Sequence, residues 1–268
     1  MRAPMAGRNL NGAGRQGMTR GDLLKLVPEG DGAASAGHLG DLLRVLPADL
    51  RSEIEGICHT RRVPAHHVLV EDGDEPDHIG YVIAGTLCMA KLLPDGRRHI
   101  IGLLVPTDMY GRIYDGRTSY RIETLTEAEI VVFERPAFER ILSAAPEAER
   151  LFIVNVLDEL DAAREWILVL AGPRAVQRVA SFLLILARRK LRERRTEAKA
   201  NAQVSAVEVA ISRTDLAHYL GTRPETLSRS LHELQSQGII RIQTPYVFDV
   251  LDLRALTEAS GQDLVIDG

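Results

Sequence analysis

The sequence predicts an α+β protein in which an antiparallel β unit comes first, one long helix follows, and a mainly helical unit forms the C-terminal part. Three observations predict this class. Short apolar runs bounded by Gly, Pro and Asp fill residues 62–133, an uninterrupted helical pattern fills residues 146–171, and two short helical patterns meet at Gly221. The 268 residues, of which 45% are hydrophobic, suffice for two domains with separate cores.

The bulk composition excludes several classes of protein. No apolar run approaches the roughly 20 residues that span a bilayer, and the N-terminus has no apolar signal segment, so we expect a cytoplasmic protein without a membrane anchor. Residues 1–36 are polar and glycine-rich and are expected to form a disordered leader. The net charge is −4, but basic residues are concentrated in the C-terminal third, which favours a polyanionic partner.

The β unit is predicted from apolar runs that are too short for helices. The runs VLV, YVIAG, TLCMAKLL, HIIGLLV and EIVVF are separated by the turn residues Asp72-Gly73-Asp74, Ala84-Gly85, Pro94-Asp95-Gly96 and Pro106-Thr107-Asp108. Short strands at this spacing are typical of a small antiparallel barrel or sandwich. Residues 39–57 have helical apolar spacing that is interrupted at Pro47, which predicts two short helices before the strands.

A single helix of about 25 residues is predicted between Pro146 and the Gly172-Pro173 stop. Its apolar residues repeat every seven positions, in the a and d pattern of a two-stranded coiled coil. The six residues of this seam are Ile153, Val156, Leu160, Ala163, Ile167 and Leu170. We expect a homodimer through the seam, and the alternative is that it packs on the β unit of its own chain. The residues expected to pack on the β unit are Phe152, Leu157, Trp166 and Val169.

The C-terminal unit is predicted to be a winged helix-turn-helix. An amphipathic helix over residues 174–189 is expected to end in the charged connector LRERRTEAKANAQ. Ser212 and Asp215 have the spacing of a capping box, so a helix is predicted to begin at residue 213 and to end at Gly221. A second helix follows after a turn of about four residues, and IIRIQTPYVFDV is predicted to form the hairpin of the wing.

The second helix is expected to start near Pro224, with Thr222 or Arg223 as its cap. Leucines recur on one face, whereas Glu225, Ser228 and Arg229 share another at i, i+3 and i+4. Their side chains suit base edges in the major groove, since Arg binds guanine, Glu accepts from cytosine and Ser contacts either. The residues expected to bind phosphates are Arg213, Thr222 and Arg223. The alternative is a surface-charged helix in a generic helical bundle. It explains any one of these residues, but it does not explain why they occur together.

Three segments resemble the FNR/CRP family of bacterial transcription regulators, most closely its FnrL-type oxygen-responsive members. PETLSRSL is similar to the recognition helix, PDGRRHIIGLLVPTDMYGR to the β-roll and LDELDAAREWILVL to the dimer helix. The resemblance spans about residues 38–260 and implies a cyclic-nucleotide-binding-like β-roll. It also implies a homodimer that binds a TTGAT-N4-ATCAA palindrome in double-stranded DNA through Glu225, Ser228 and Arg229, and that acts on RNA polymerase as an activator or repressor.

Four segments follow from the pattern and the resemblance together. They are the leader (1–36), the β-roll sensor domain (37–143), the dimerisation helix (144–172) and the winged helix-turn-helix domain (173–268).

The resemblance implies a sensor domain, but the residues that hold the family's usual ligands do not match those of this chain. Oxygen-responsive members hold a [4Fe–4S] cluster on four cysteines, but this chain has only Cys58 and Cys88, so we expect no cluster. Members that bind a cyclic nucleotide have a G-E-L turn and an R-S pair. Gly111-Arg112-Ile113 and Arg117 stand there instead, so no cyclic nucleotide is expected.

Two alternatives remain open at this point. One is a haem-dependent or other small-ligand regulator, whose formally possible axial ligands are His66, His67, His78, His99, Cys58 and Cys88. The other is a cupin-type metalloenzyme, but these histidines do not alternate along one strand as such a site needs. We therefore predict a protein that is not an enzyme, with no cofactor assigned.

Overall fold

The computed structural model describes residues 16–17, 37–94, 98–114, 116–196, 206–209 and 211–261. Its helices are α1 (Gly37–Val45), α2 (Ala48–Gly56), α3 (Arg135–Ala144), α4 (Pro146–Leu170), α5 (Ala175–Thr196), α6 (Arg213–Tyr219), α7 (Pro224–Ser236) and α8 (Leu253–Ser260). Its strands are β1 (Gln16–Gly17), β2 (Cys58–Val63), β3 (Val68–Val70), β4 (His78–Ala84), β5 (Leu87–Leu92), β6 (Arg98–Leu104), β7 (Met109–Tyr110), β8 (Arg121–Thr124), β9 (Ala128–Glu134), β10 (Val207–Glu208), β11 (Ile240–Ile242) and β12 (Val247–Val250). Among the described helices, none is long and apolar enough to cross a membrane.

Two antiparallel sheets form the β-roll, as the sequence predicts. The first has the order β1-β2-β9-β4-β7 and the second the order β3-β8-β5-β6. The strand β1 corrects the expectation for the leader, because Gln16 and Gly17 pair with Thr60 and His59 of β2. The prediction of disorder is therefore wrong for these two residues, and the rest of residues 1–36 lies outside the described part of the chain.

Strand β9 is buried on both faces, which explains why EIVVF is continuously apolar. Side chains alternate along a strand, so Ile130 and Val132 point into the space between the two sheets. Val131 and Phe133 point the other way, into a second core formed with α1, α2 and α3. This strand lies between β2 and β4 and thereby joins the roll to the helices that flank it.

Aromatic rings connect the roll to the long helix. Phe133 lies 6.2 Å from Tyr81 and 5.4 Å from Phe138, and Phe138 lies 6.2 Å from Phe152 of α4, measured between ring centroids. Edge and tilted contacts at these distances are favourable beyond the area that they bury. The N-terminal half of α4 is therefore held against the β-roll through Phe152, as the sequence predicts.

Helix α4 has the predicted 25 residues and packs at both ends. Trp166 contacts Phe182 and Tyr219 at centroid distances of 5.8 and 4.8 Å, and Val169 is buried, so the C-terminal half packs on α5 and α6. The prediction that Trp166 packs on the β unit is therefore wrong, because its indole lies between two aromatic rings of the C-terminal unit. Leu157 was also expected to pack on the β unit, but its side chain is exposed, so this prediction is wrong.

Helix α5 is longer than predicted. It continues through Leu191–Thr196, the first six residues of the segment that was expected to be an exposed connector. Leu, Arg and Glu are strong helix formers, so this charged sequence extends the helix instead of ending it. Residues 197–205 lie outside the described part of the chain.

The C-terminal unit has one apolar core. It contains residues from α5, α6, α7 and α8 and from the sheet β10-β12-β11, and it continues onto the outer face of the second β-roll sheet through Cys88, Ala90 and Ile100. The hairpin of β11 and β12 has the predicted position, with Ile240 opposite Val250. The predicted winged arrangement is confirmed.

The two cysteines lie in different cores. Cys58 is on β2 and faces the helices α1–α3, whereas Cys88 is on β5 and faces the C-terminal unit, opposite to Leu87 as the strand pattern predicts. Burial raises the pKa of the Cys58 thiol to about 11 and that of the Cys88 thiol to about 12. Both groups are therefore protonated at neutral pH.

We expect both thiols to react slowly with a thiolate-specific reagent at pH 8 in the folded protein. An ordinary cysteine has a pKa near 8.5, so unfolding should accelerate labelling by about a hundredfold or more, because it lowers the raised pKa and opens the site. Mass mapping of labelled peptides in buffer and in guanidinium measures this for each cysteine. Rapid labelling of either thiol in buffer would contradict its placement in the core.

Candidate nucleic-acid interface

The first helix of the helix-turn-helix begins at the predicted cap. The backbone N–H of Asp215 donates to Ser212 Oγ at 3.0 Å, and the Ser212 hydroxyl donates to Asp215 Oδ2 at 2.6 Å. The side chain of an N-cap serine satisfies a backbone donor that the helix leaves unpaired. The capping pair therefore fixes both the start of α6 and the direction of the Asp215 carboxylate.

The turn between the two helices requires a glycine. Gly221 has a φ of +60°, the left-handed region that side chains with a Cβ seldom adopt. The N–H of Thr222 donates back to the Ala217 carbonyl at 2.8 Å, which closes the end of α6. The chain then enters α7 at Pro224.

Arg178 on α5 connects this turn to the end of the long helix. Its Nε donates to the Leu220 carbonyl at 2.9 Å and its Nη1 donates to the Gly172 carbonyl at 2.8 Å. Both carbonyls lie at the C-terminal ends of helices, where a cation is also favoured by the helix dipole. One guanidinium thus holds the turn of the helix-turn-helix near the break that follows α4. This role of Arg178 could not be predicted, since nothing in the local sequence pattern distinguishes it from other helical arginines.

The second helix, α7, has one buried apolar face and one exposed polar face, as predicted. Leu227, Leu231 and Leu234 are at most 1% exposed and join the C-terminal core. Pro224 is its first residue, and Arg223 occupies the capping position without a hydrogen bond from its side chain. The helix therefore starts where expected, but its start is set by the proline and not by a side-chain cap.

The three predicted base-reading side chains lie together on the outer face of α7. Glu225 and Arg229 are exposed, and Ser228 is partly exposed. Arg229 Nη2 lies 3.5 Å from the hydroxyl of Thr226, and neither Glu225 nor Arg229 forms an ion pair with another described residue. These side chains are near the N-terminus of the helix, the end that enters the major groove in helix-turn-helix proteins.

The predicted phosphate-binding residues divide into two groups. Thr222 and Arg223 lie at the entry of α7, where Thr222 is partly exposed and Arg223 is exposed. Arg213 lies at the start of α6, where its guanidinium carbon is 5.0 Å from the centroid of the Phe248 ring and burial lowers the pKa of the group. Its position favours a contribution to packing between α6 and the wing.

The wing presents an aromatic residue that the sequence analysis missed. The Thr244 hydroxyl accepts hydrogen bonds from the N–H groups of Tyr246 at 3.2 Å and Val247 at 3.0 Å, which forms the tight turn of the hairpin. Tyr246 is 47% exposed at the tip. Tyrosine hydroxyls donate to phosphate oxygens in protein–DNA complexes, so this tip is a further candidate for a backbone contact.

The histidines named as possible ligands lie in three different segments of the roll: His66 and His67 are adjacent in the loop before β3, His78 is on β4 and His99 is on β6. His78 Nδ1 lies 2.5 Å from Asp77 Oδ1, and His66 is exposed with a φ of +61°. His67 and His99 are partly exposed. In the part of the chain that the structure describes, no three His, Cys, Asp or Glu side chains are grouped as they would be around a metal ion.

Comparisons with known proteins agree with this architecture. The cyclic nucleotide-binding domain family matches residues 60–145, and the Crp-like helix-turn-helix domain family matches residues 177–259. The chain is 33% identical over 214 residues to the transcriptional activator protein FnrL of Cereibacter sphaeroides, which covers 78% of this chain and 84% of that protein. It is 34% identical over 213 residues to a probable transcriptional activator of Rhizobium leguminosarum, with 79% and 80% covered.

A solved structure shares the fold. FixK2 from Bradyrhizobium japonicum superimposes with a TM-score of 0.66 at 24% identity, covering 76% of this chain and 97% of that chain. The two matched domains, the curated relatives and the packed helix-turn-helix with its open polar face together show that the chain belongs to the FNR/CRP family of DNA-binding transcriptional regulators.

Proposed function

We propose that this protein is a homodimeric regulator that binds a TTGAT-N4-ATCAA-like palindrome without an iron–sulfur cluster and acts on RNA polymerase. The observation that carries the proposal is the open face of α7, on which Glu225, Ser228 and Arg229 lie together above a buried leucine face. Activation is favoured over repression because both curated relatives are described as transcriptional activators.

The exposed face of α4 supports the dimer. Five of the six seam residues are large aliphatic side chains with at least 43% exposure, and Ala163 is also exposed. An apolar stripe along a helix of this length is unfavourable in water and marks an interaction surface. A second copy buries it through the a and d positions of a coiled coil, which requires no other partner.

The dimer sets the geometry of DNA reading. Two copies of α7 related by a two-fold axis meet half-sites about one helical turn, or roughly 34 Å, apart. A palindrome is the matching DNA symmetry, since each protomer then reads the same bases.

The distribution of cysteines supports a regulator without a cluster. A [4Fe–4S] cluster is held by four ligands, usually cysteine thiolates, and this chain has two cysteines in all. Cys58 and Cys88 also face different cores. At the position expected for the family's ligand in the roll, Val131, Val132 and Phe133 are buried apolar side chains.

The residues at the family's nucleotide site do not fit a cyclic nucleotide. An exposed cation, Arg112, stands where the ribose-binding carboxylate is expected, and its guanidinium lies over Gly116. Thr118 follows Arg117, but its buried hydroxyl is directed at the carbonyl oxygens of Glu71 at 3.0 Å and Asp74 at 3.2 Å. A cyclic nucleotide is therefore not part of the proposed function.

The direct experiment is a titration of aerobically purified protein against a labelled TTGAT-N4-ATCAA duplex, with a scrambled duplex as competitor and an absorption spectrum of the same sample. Tight, specific binding by colourless protein is expected. Binding only by a coloured or ligand-supplemented sample would overturn the cluster-free, ligand-free proposal.

Replacement of Arg229 with Ala should weaken binding to the palindrome by about 1 to 3 kcal/mol for each half-site contact, because one bidentate guanine contact is lost. Binding to scrambled DNA should change little. Arg223→Ala is the matched control, and it should weaken both duplexes alike and reduce the salt slope by about one for each protomer. If Arg229→Ala lowered both affinities equally, its assignment as a base-reading residue would be refuted.

Introduction of a charge into the seam should separate the dimer. Leu160→Glu places two carboxylates opposite each other at an a position, so we expect a monomer by sedimentation and a loss of about 10² to 10⁴-fold in affinity for the palindrome. Val154→Glu is the matched control, because Val154 is an exposed aliphatic residue of the same helix outside the a and d positions. A Leu160→Glu protein that stayed dimeric would show that the copies associate through another surface.

A further inference from the structure

One ionic contact joins the β-roll to the helix-turn-helix. Arg98, the first residue of β6, donates through Nη1 to Asp215 Oδ1 of α6 at 2.9 Å, across 117 positions of sequence. Strand β6 and helix α6 are in contact along this border. Because the two residues belong to different domains, this pair fixes the position of one domain relative to the other.

The same guanidinium is anchored within the roll. Its Nη2 donates to Glu123 Oε1 of β8 and lies 3.3 Å from Cys88 Sγ of β5, so three neighbouring strands hold it. The Asp215 and Glu123 side chains are each 10% exposed, and that of Arg98 is 25% exposed. Charges shielded to this degree interact more strongly than exposed surface pairs do.

Asp215 transmits the contact to the reading helix. Its carboxylate also accepts from Ser212, so Arg98 and the cap hold the start of α6 together. The reading helix α7 packs on α5, α6 and β11. Its polar face is exposed in the structure in which Arg98 and Asp215 are paired. The contact is therefore compatible with DNA binding and does not cover the reading surface.

We propose that Arg98 is a positioning residue for DNA reading: it holds α6, and through α6 the reading helix, at a fixed place on the β-roll. The backbone break at Gly172-Pro173 lies between the dimer helix and the helix-turn-helix. Without the pair, only the apolar border and the contacts of Arg178 and Trp166 oppose rotation of the DNA-binding domain there. In a dimer, such rotation changes the distance between the two reading helices. The inference rests on the proposed function and adds to it the residue that sets half-site spacing.

The test is a comparison of wild type, Arg98→Gln, Asp215→Asn and the double variant on duplexes with spacers of three, four and five base pairs. We expect each single variant to lose about tenfold in affinity for the best-bound spacing, and the three affinities to become nearly equal. The double variant should be no weaker than either single one, because both changes remove the same contact. Arg140→Gln is the matched control, since Arg140 pairs with Glu53 at 2.6 Å inside the N-terminal unit.

Two results would overturn the proposal. One is a double variant whose loss is the product of the two single losses, which would mean that the residues act independently. The other is an unchanged spacing preference with a uniform loss of affinity, which would mean that Arg98 only stabilises the fold. Arg98→Lys is a further test, because it retains the positive charge. If Arg98 positions α6, this variant should keep part of the spacing preference that Arg98→Gln loses.

Amide hydrogen exchange without DNA distinguishes failure of this inference from failure of the proposed function. If wild type bound none of the duplexes, the palindrome assignment would fail, but the contact would still be measurable. Amides of α6 should then exchange faster in Arg98→Gln and Asp215→Asn than in wild type or Arg140→Gln, while β9 amides stay protected. Identical exchange of α6 in all four proteins would overturn the positioning role.

Discussion

The apolar surface of helix α4 is the constraint on which the rest of the structure depends. Phe152 packs one end of the helix against the β-roll unit, and Trp166 and Val169 pack the other end against the DNA-binding domain. The remaining stripe lies open to solvent along the whole helix. Because a single helix carries all three surfaces, the proposed pairing of two copies through the stripe would connect the β-rolls and the reading helices through the same element.

Two kinds of contact connect the domains, and they have different consequences. The apolar border formed by Ala90 and Ile100 favours close packing but tolerates sliding, since burial is not directional. The contacts of Arg98 and Arg178 are directional, because each guanidinium nitrogen must meet a particular oxygen. Burial therefore brings the domains together, and the two arginines select one relative orientation.

Much of the fold was predictable because its signals are local. The Ser212 cap, Gly221 and the leucine face of α7 each act within one or two helical turns, and the structure confirms them. The extension of α5 was missed because a charged segment was interpreted as a connector although its residues favour a helix. The partnership of Arg98 with Asp215 could not be predicted, since no sequence period relates residues that meet only through tertiary packing.

The aromatic contact at the end of α4 also has a spectroscopic consequence. Trp166 is the only tryptophan of the chain, and its indole is packed against Tyr219, the last residue of α6. Emission of a tryptophan depends on the polarity and proximity of its neighbours, and here those neighbours belong to the DNA-binding domain. The protein thus contains an intrinsic fluorophore at the joint between α4 and its DNA-binding domain, which requires no label.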